Sequence, residues 1–301
     1  MSHRRSRLAA AICLALSVAG LSAVSSPAAQ AVDKIGTVTK RTGATVSIAA
    51  SSSGQAVATC RNNETLIGGG AIGDGASTQV VFLRASGPSP SNPRRWVARG
   101  FNNDGANPHG LTAYAMCAKS AGNDKIGVIV RSGGAAADLP IGSSGTDTAN
   151  CRSDERLVGG GAQGTGVPGT SVLLTASAPD PARARRYLAK GFNNNFASPE
   201  QLRAFAFCAR KANPDRVERV VKRAGAQISV ASLNAGTVSA SCRNNEKLVG
   251  GGVIEDGLGA IGVLLSSSAP HPSNSRRWRA SGFNFDGASH TMQAFAFCAK
   301  S

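Results

Sequence analysis

The chain of 301 residues repeats one pattern three times, and this repetition constrains its fold more than any other feature. Cysteines recur at positions 60, 151 and 242, a period of 91 residues, and a second set follows at 117, 208 and 298. A fixed period of this kind is the signature of repeat architectures, in which each copy is one structural unit. We therefore expect three repeats, at residues 33–120, 124–211 and 215–301.

Each repeat has the pattern of a series of short β-strands. Its last segment alternates alanine with larger residues, as in Ala204-Phe205-Ala206-Phe207-Cys208, and its middle carries a glycine triplet, as in Leu66 to Gly70. Alternation with a period of two residues indicates half-buried strands, and Asp-Gly dipeptides such as Asp104-Gly105 are typical of hairpin turns. No segment has the apolar period of a long helix. We predict an all-β fold with six or seven short antiparallel strands per repeat.

The arrangement of the repeats remains open between two architectures. The first is three tandem antiparallel β-sandwich-like repeats of about 90 residues, and the second is three sectors of one pseudo-threefold body. The linkers at 121–124 and 212–215 are so short that the repeats must at least touch.

The first 31 residues have the features of a secretory signal peptide. Three arginines among the first seven residues precede an apolar segment from Leu8 to Val24, and Ala29-Gln30-Ala31 fits a signal-peptidase cleavage site. We expect a secreted, extracellular protein that begins near Val32, with association to the cell wall as one variant. No later apolar run reaches the roughly 18 residues that cross a bilayer, so no membrane span is expected.

Six cysteines remain after the signal segment, and an even number in an exported chain implies disulfides. Fifteen pairings are possible in principle, but the repeat symmetry favours one bridge within each repeat. Each bridge would stabilise its repeat by roughly 4 kcal/mol in the chain-entropy description. A zinc site would need clustered spacing such as CxxC, which the chain lacks, so we expect neither metal nor cofactor. The predicted pairs are Cys60–Cys117, Cys151–Cys208 and Cys242–Cys298.

The best candidate for a binding motif is an Arg-Arg-aromatic triplet that follows a polar loop in every repeat. Paired arginines hold phosphate, sulfate or carboxylate groups, and a neighbouring aromatic ring can stack on a sugar. The alternative is that the rings are core residues and the arginines are solvated. The candidate residues are Arg94, Arg95, Trp96, Arg185, Arg186, Tyr187, Arg276, Arg277 and Trp278.

Two other recurring motifs favour structural roles. Gly68 to Gly73 matches the GxGxxG dinucleotide pattern, but the helix that such a site needs is missing. We expect instead a strand crossing with close backbone approach, or a β-bulge. An acid also recurs four residues after the first cysteine, and we expect an exposed charge that pairs with the arginine next to that cysteine. These acids are Glu64, Glu155 and Glu246.

Charge and motifs narrow the possible functions. Lysine and arginine number 33 against 17 acids, which gives a formal charge of +16. A positive surface spread over all repeats suits anionic wall polymers or glycans outside a cell. Nucleic acid is a weaker expectation, because export removes the usual partner and no nucleic-acid motif occurs. No GxSxG, HExxH or recurring pair of acids is present, so we do not expect an enzyme.

The repeat Cys-x5-Leu-x-Gly-Gly-Gly … Arg-Trp … Phe-Asn … Ala-x-Ala-x-Cys-Ala resembles a unit found in exported repeat proteins of actinobacteria. The resemblance covers nearly all of the chain after the signal segment. It implies an exported protein with a shared structural unit, and it carries over no catalytic or binding residue. Repeat 2 departs from the pattern at Tyr187.

Three functions are compatible with these features. The leading hypothesis is a secreted, non-catalytic β-repeat protein that binds or decorates the cell envelope or an extracellular glycan or polyanion, with avidity from three similar sites. The second is an inhibitor of extracellular proteases, whose proline-flanked loop ending in arginine imitates a substrate. The third is a hydrolase with a site in one repeat.

Overall fold

The strands of the three repeats follow one another in a common order, as the repetition of the sequence predicts. Within the described ranges every regular element is a β-strand, which confirms the all-β prediction. The expected signal segment, residues 1–31, and both expected linkers lie outside these ranges. The computed structural model describes residues 35–76, 78–120, 126–167, 170–210, 220–256 and 262–300.

The described strands number eight in repeat 1, eight in repeat 2 and six in repeat 3. Repeat 1 contains β1 (Ile35–Thr42), β2 (Val46–Ile48), β3 (Ser53–Thr59), β4 (Thr65–Gly73), β5 (Gly75–Ala76), β6 (Gln79–Pro88), β7 (Arg95–Asn102) and β8 (His109–Ser120). Repeat 2 contains β9 (Val128–Ser132), β10 (Ala137–Leu139), β11 (Ser144–Asn150), β12 (Glu155–Gly164), β13 (Gly166–Val167), β14 (Thr170–Pro179), β15 (Arg186–Asn193) and β16 (Glu200–Arg210). Repeat 3 contains β17 (Val220–Val230), β18 (Ala235–Ser241), β19 (Glu246–Glu255), β20 (Val263–Pro270), β21 (Arg277–Asn284) and β22 (His290–Lys300).

Each of the three antiparallel sheets is built from two repeats. The first sheet joins β1, β2, β4 and β8 of repeat 1 to β18, β20 and β21 of repeat 3. The second joins repeat 2 to repeat 1 through β12 and β6, and the third joins repeat 2 to repeat 3 through β14 and β19. Every repeat thus divides its strands between two sheets. Of the two arrangements left open by the sequence, the structure has the three-sector body, within one compact unit, Ala31–Ser301.

The glycine triplets lie where the three repeats come closest to one another. A Cβ atom on Gly159 would stand only 2.4 Å from the carbonyl oxygen of Ile67, in repeat 1. Gly68 and Gly250 would meet the backbone of repeats 3 and 2 in the same way, at 3.3 and 3.2 Å, so the contacts close a ring. The expected close approach of backbones is confirmed, and a register shift before Gly68 also gives the expected bulge.

The aromatic ring of each Arg-Arg-aromatic motif covers the second glycine of its own repeat. The Trp96 ring lies 2.4 Å from the place where a Cβ on Gly69 would stand, so no side chain fits there. The Trp96 indole N–H donates to Ser86 Oγ at 3.1 Å, and in repeat 2 the Tyr187 hydroxyl meets Ser177 Oγ at 3.0 Å. The shared serine contact explains how tyrosine replaces tryptophan in repeat 2.

The disulfides tie together the two halves of each repeat. Cys60 follows β3 in the second sheet, whereas Cys117 lies within β8 in the first. Because disulfides persist in oxidising compartments, the three bridges indicate an oxidising environment for this protein. All three predicted pairs are present: Cys60–Cys117, Cys151–Cys208 and Cys242–Cys298.

Candidate functional site

The aromatic members of the predicted binding motif belong to the core. Trp96, Tyr187 and Trp278 are 0%, 1% and 1% exposed. A ring without exposed surface cannot stack on a ligand, so the prediction that these three residues bind one is wrong. The physical reason is the glycine beneath each ring, because the missing side chain leaves a space that a large flat ring fills.

The six arginines of the motif have different surroundings, and they do not act as three equal pairs. The half-buried Arg94 donates to the carbonyl oxygen of Cys60 at 3.3 Å and to the side chain of Asn62. Arg186 forms an ion pair with Asp180. The remaining four are Arg95, which is half-buried, and Arg185, Arg276 and Arg277, which are exposed.

One of these exposed arginines lines a cleft of about 280 Å³ between repeats 1 and 3, which we call the basic cleft. Its walls come from β1, from the start of β19 and from the loop that follows β20. Three cationic side chains, Lys40, Lys247 and Arg276, share it with the apolar Val38 and Leu248. The basic cleft therefore offers positive charge beside apolar surface.

The two lysines of the basic cleft are anchored across the boundary between the repeats. Lys40 Nζ donates to the carbonyl oxygens of His271 and Pro272 at 3.1 and 2.7 Å. Lys247 Nζ donates to the carbonyl oxygen of Gly36 at 2.5 Å. Burial lowers the pKa of Lys40. Because carbonyl oxygens carry no net charge, these bonds orient both ammonium groups without neutralising them.

No lining carboxylate is free to neutralise the three cations of the basic cleft among the described residues. Glu246 is the only acid among the described residues that line it, and its two oxygens bind the guanidinium of Arg223. In the described part of the chain, no carboxylate lies within ion-pair distance of Lys40, Lys247 or Arg276. An anionic group that entered the cleft would meet three uncompensated cations.

A lysine also bonds across the boundary between repeats 2 and 3. Lys222 Nζ donates to the carbonyl oxygens of Asp180 and Pro181, at 2.9 and 3.3 Å. The exposed Arg185 follows this loop, as Arg276 follows the loop of repeat 3. Two of the three boundaries thus combine a lysine tied to loop carbonyls with an exposed arginine.

Each repeat also contains a buried acid that pairs with an arginine of the first strand of that repeat. Glu64 is 4% exposed, and it accepts hydrogen bonds from Arg41 Nε at 2.6 Å and from the backbone N–H of Arg61 at 2.8 Å. The prediction of an exposed charge paired with the side chain of Arg61 is wrong, because β1 supplies the guanidinium. The equivalent pairs are Glu155 with Arg131 and Glu246 with Arg223.

A serine and a histidine approach each other near the basic cleft. His271 Nδ1 lies 3.3 Å from Ser273 Oγ. Burial lowers the pKa of His271, and the positive charges of Arg277, Arg279 and Lys40 add to that effect. The described residues provide no carboxylate that bonds to this histidine, so the pair lacks the orienting acid of a nucleophilic triad.

No known protein family matches the chain, and no curated protein matches its sequence. In the part of the chain that the structure describes, no helix has the length and apolar character needed to cross a membrane.

Proposed function

We propose that the chain is an exported, non-catalytic β-repeat protein that binds an anionic glycan, or a related polyanion of the cell envelope, through the basic cleft. The observation that supports this most strongly is the set of three cations, Lys40, Lys247 and Arg276, beside a single acid that is already paired. A sulfate, phosphate or carboxylate group is held by the cations. The apolar face of a sugar then lies against the half-buried Val38.

Secretion is part of the same proposal. The signal features of residues 1–31 predict export, and the three disulfides agree with an oxidising location. Without the signal segment, which contains three arginines and no acid, the formal charge is +13, and outside a bacterial cell such a protein meets anionic wall polymers at high local concentration. Association with the wall then follows from charge.

Threefold repetition suits a repeating polymer as ligand. Arg94 and Arg185 occupy the positions equivalent to Arg276 at the other two boundaries. A polymer that presents the same anionic group many times can contact more than one boundary, so weak individual contacts add up to useful avidity.

The loop geometry gives less support to the protease-inhibitor hypothesis. In repeat 1 the N–H groups of Arg94 and Arg95 bond to the side chain and the carbonyl of Asn92, both at 3.0 Å, and Ser89 N–H bonds to the Arg95 carbonyl at 2.9 Å. The loop is therefore closed as a compact turn. An inhibitor that imitates a substrate presents an extended segment that can pair as a strand.

Charge reversal at Arg276 tests the proposed function. We expect the parent protein to bind immobilised dextran sulfate but not neutral dextran, because the proposed binding depends on the negative charge of the ligand. Arg276→Glu should weaken binding to dextran sulfate about tenfold, on the order of 1.4 kcal/mol. Binding is measured by biolayer interferometry at two salt concentrations, because screening weakens electrostatic contacts between exposed groups.

The matched control is Arg203→Glu, which makes the same change of charge at an exposed residue outside the basic cleft. It should leave the affinity within about twofold of the parent, a difference on the order of 0.4 kcal/mol. Equal binding of the parent and Arg276→Glu, or equal loss with the control, would show that the cleft is not the binding site.

A further inference from the structure

A separate cluster of ionisable side chains lies at the opposite end of β19 from the basic cleft. It combines Glu255 and Asp256 with His290 at the start of β22. One ligand atom from each of the three lies within 4.8 Å of the other two. An imidazole nitrogen and two carboxylate oxygens at such spacing form a ligand set that suits a divalent transition metal.

The histidine of this cluster is oriented by a fourth residue. His290 Nε2 lies 2.8 Å from Asp286 Oδ2, and Nδ1 lies 3.5 Å from Asp256 Oδ1. When Nε2–H donates to Asp286, the lone pair of Nδ1 points to the side of Asp256. An outer carboxylate that fixes the tautomer and orientation of a histidine is a regular feature of metal sites in proteins.

The two acids of the cluster are also held in place. Asp256 accepts hydrogen bonds from the backbone N–H and the hydroxyl of Thr291, both at 2.7 Å. Glu255 is 3% exposed and lies 3.7 Å from Lys190 Nζ through Oε1. The ligands are thus positioned before any metal arrives, which lowers the cost of binding.

Repeat 1 carries the same histidine without the third ligand. His109 lies between Asp74 and Asp104, at 3.3 and 3.0 Å, but Gly73 occupies the position equivalent to Glu255. Repeat 1 is therefore an internal control for repeat 3, because a single acid distinguishes the three-ligand cluster from the two-ligand one.

Repeat 2 has different side chains at the equivalent positions. Glu200 stands where the other repeats have histidine, and its two oxygens accept hydrogen bonds from Thr165 and Asn195, at 2.7 and 2.8 Å. These neutral partners replace the two aspartates. The combination of histidine with two inner acids is therefore confined to repeat 3 among the described residues.

We propose that Glu255, Asp256 and His290 bind one divalent transition-metal cation of the zinc class, with Asp286 as the positioning residue of the histidine. Solvent completes the coordination shell. The expectation of no metal rested on the absence of clustered cysteine or histidine spacing such as CxxC. These ligands are far apart in the chain and meet only when β19 pairs with β22.

Calorimetric titration of the chain from residue 32 onward with zinc chloride tests the site. We expect one bound equivalent of zinc. The variants His290→Asn and Glu255→Gln should each weaken zinc binding about tenfold or more, because even the loss of an outer-shell partner typically costs that much. His109→Asn, the matched change in repeat 1, should leave the affinity and the stoichiometry unchanged.

A second measurement does not depend on the folding of a variant. In the parent protein, zinc should shift the ¹⁵N resonance of His290 Nδ1 and leave both ring nitrogens of His109 in place. Absence of zinc binding by the parent, an equal loss in His109→Asn, or a zinc-dependent shift at His109 alone would overturn the proposal.

Discussion

At the scale of single residues, a buried Glu–Arg pair is present in all three repeats. Glu246 binds the guanidinium of Arg223 through both oxygens and also accepts the backbone N–H of Arg243 at 2.9 Å. Such a pair ties the first strand of a repeat to the turn that follows its first cysteine. The hydrogen bonds from Arg223 lower the pKa of Glu246 to about 2.

This shift predicts how stability depends on pH. In the unfolded chain a glutamate titrates near its ordinary pKa of about 4.3. Between that value and about 2, the folded state binds fewer protons than the unfolded state, so acid favours unfolding. The stabilisation by Glu246 is therefore complete above about pH 5, and it disappears as the pH falls towards about 2.

We expect Glu246→Gln to lower the free energy of unfolding by about 2 kcal/mol at pH 7, because a charged hydrogen-bonded pair is lost. The difference from the parent should shrink as the pH falls from 5 to 2, since the parent then loses its own charge. Urea unfolding at several pH values measures both effects. The control is Asp138→Asn, at an exposed acid, which should change stability by less than about 0.5 kcal/mol. A constant difference at all pH values would contradict the account.

The sequence was enough to predict the partner of a residue where the threefold repetition left a single choice. The repeat period was enough to pair Cys60 with Cys117, because each repeat contains only two cysteines. It failed for Glu64, since the nearest arginine in sequence, Arg61, bonds to this acid through its backbone N–H, whereas Arg41 supplies the guanidinium. A usable signal did exist: an arginine recurs in all three opening strands, at positions 41, 131 and 223.

At the scale of strands, the glycine triplet determines how closely the sheets approach. Gly159 has no room for a Cβ, because backbone atoms of repeat 1 stand 2.4 and 3.4 Å from its position. Backbone atoms of a packed strand cannot move aside as the end of a flexible side chain can. The strand β12 therefore tolerates only glycine at this position.

Gly159→Ala should destabilise the protein by about 2 to 3 kcal/mol, the usual cost of overpacking a core. Gly134→Ala is the matched control, since a Cβ there would meet nothing within 4 Å. The control should be neutral or stabilising by up to about 1 kcal/mol, because alanine restricts the unfolded chain. Both values come from urea denaturation midpoints. Equal stability of Gly159→Ala and the parent would show that the repeats are not in backbone contact there.

The positions of the strands could be predicted from the sequence better than the pairing of one strand with another. Alternation identified β16 and the other closing strands, because that pattern depends only on which face of a strand is buried. The pairing of β4 with β20 joins residues of repeats 1 and 3, such as Ile72 and Ser267, and no local pattern encodes it. Very short strands such as β5 also escape prediction, since two residues show no period.

At the scale of the whole molecule, the repeats complete one another's sheets. Each sheet combines strands from two repeats, and each disulfide joins strands of two sheets. If a repeat were removed from the others, β4, β12 or β19 would lose one of its two neighbouring strands, and the glycine contacts at the centre would be exposed. The basic cleft depends on the same assembly, because repeats 1 and 3 each supply one wall.

Differential scanning calorimetry of the disulfide-bonded chain from residue 32 onward tests most directly whether the three repeats form one cooperative body. The account predicts a single unfolding transition, with a calorimetric enthalpy equal to the van't Hoff enthalpy, because the unfolding of any one repeat breaks two of the three sheets. Two or three separable transitions, each with its own enthalpy, would contradict it and would show that the repeats are independent domains.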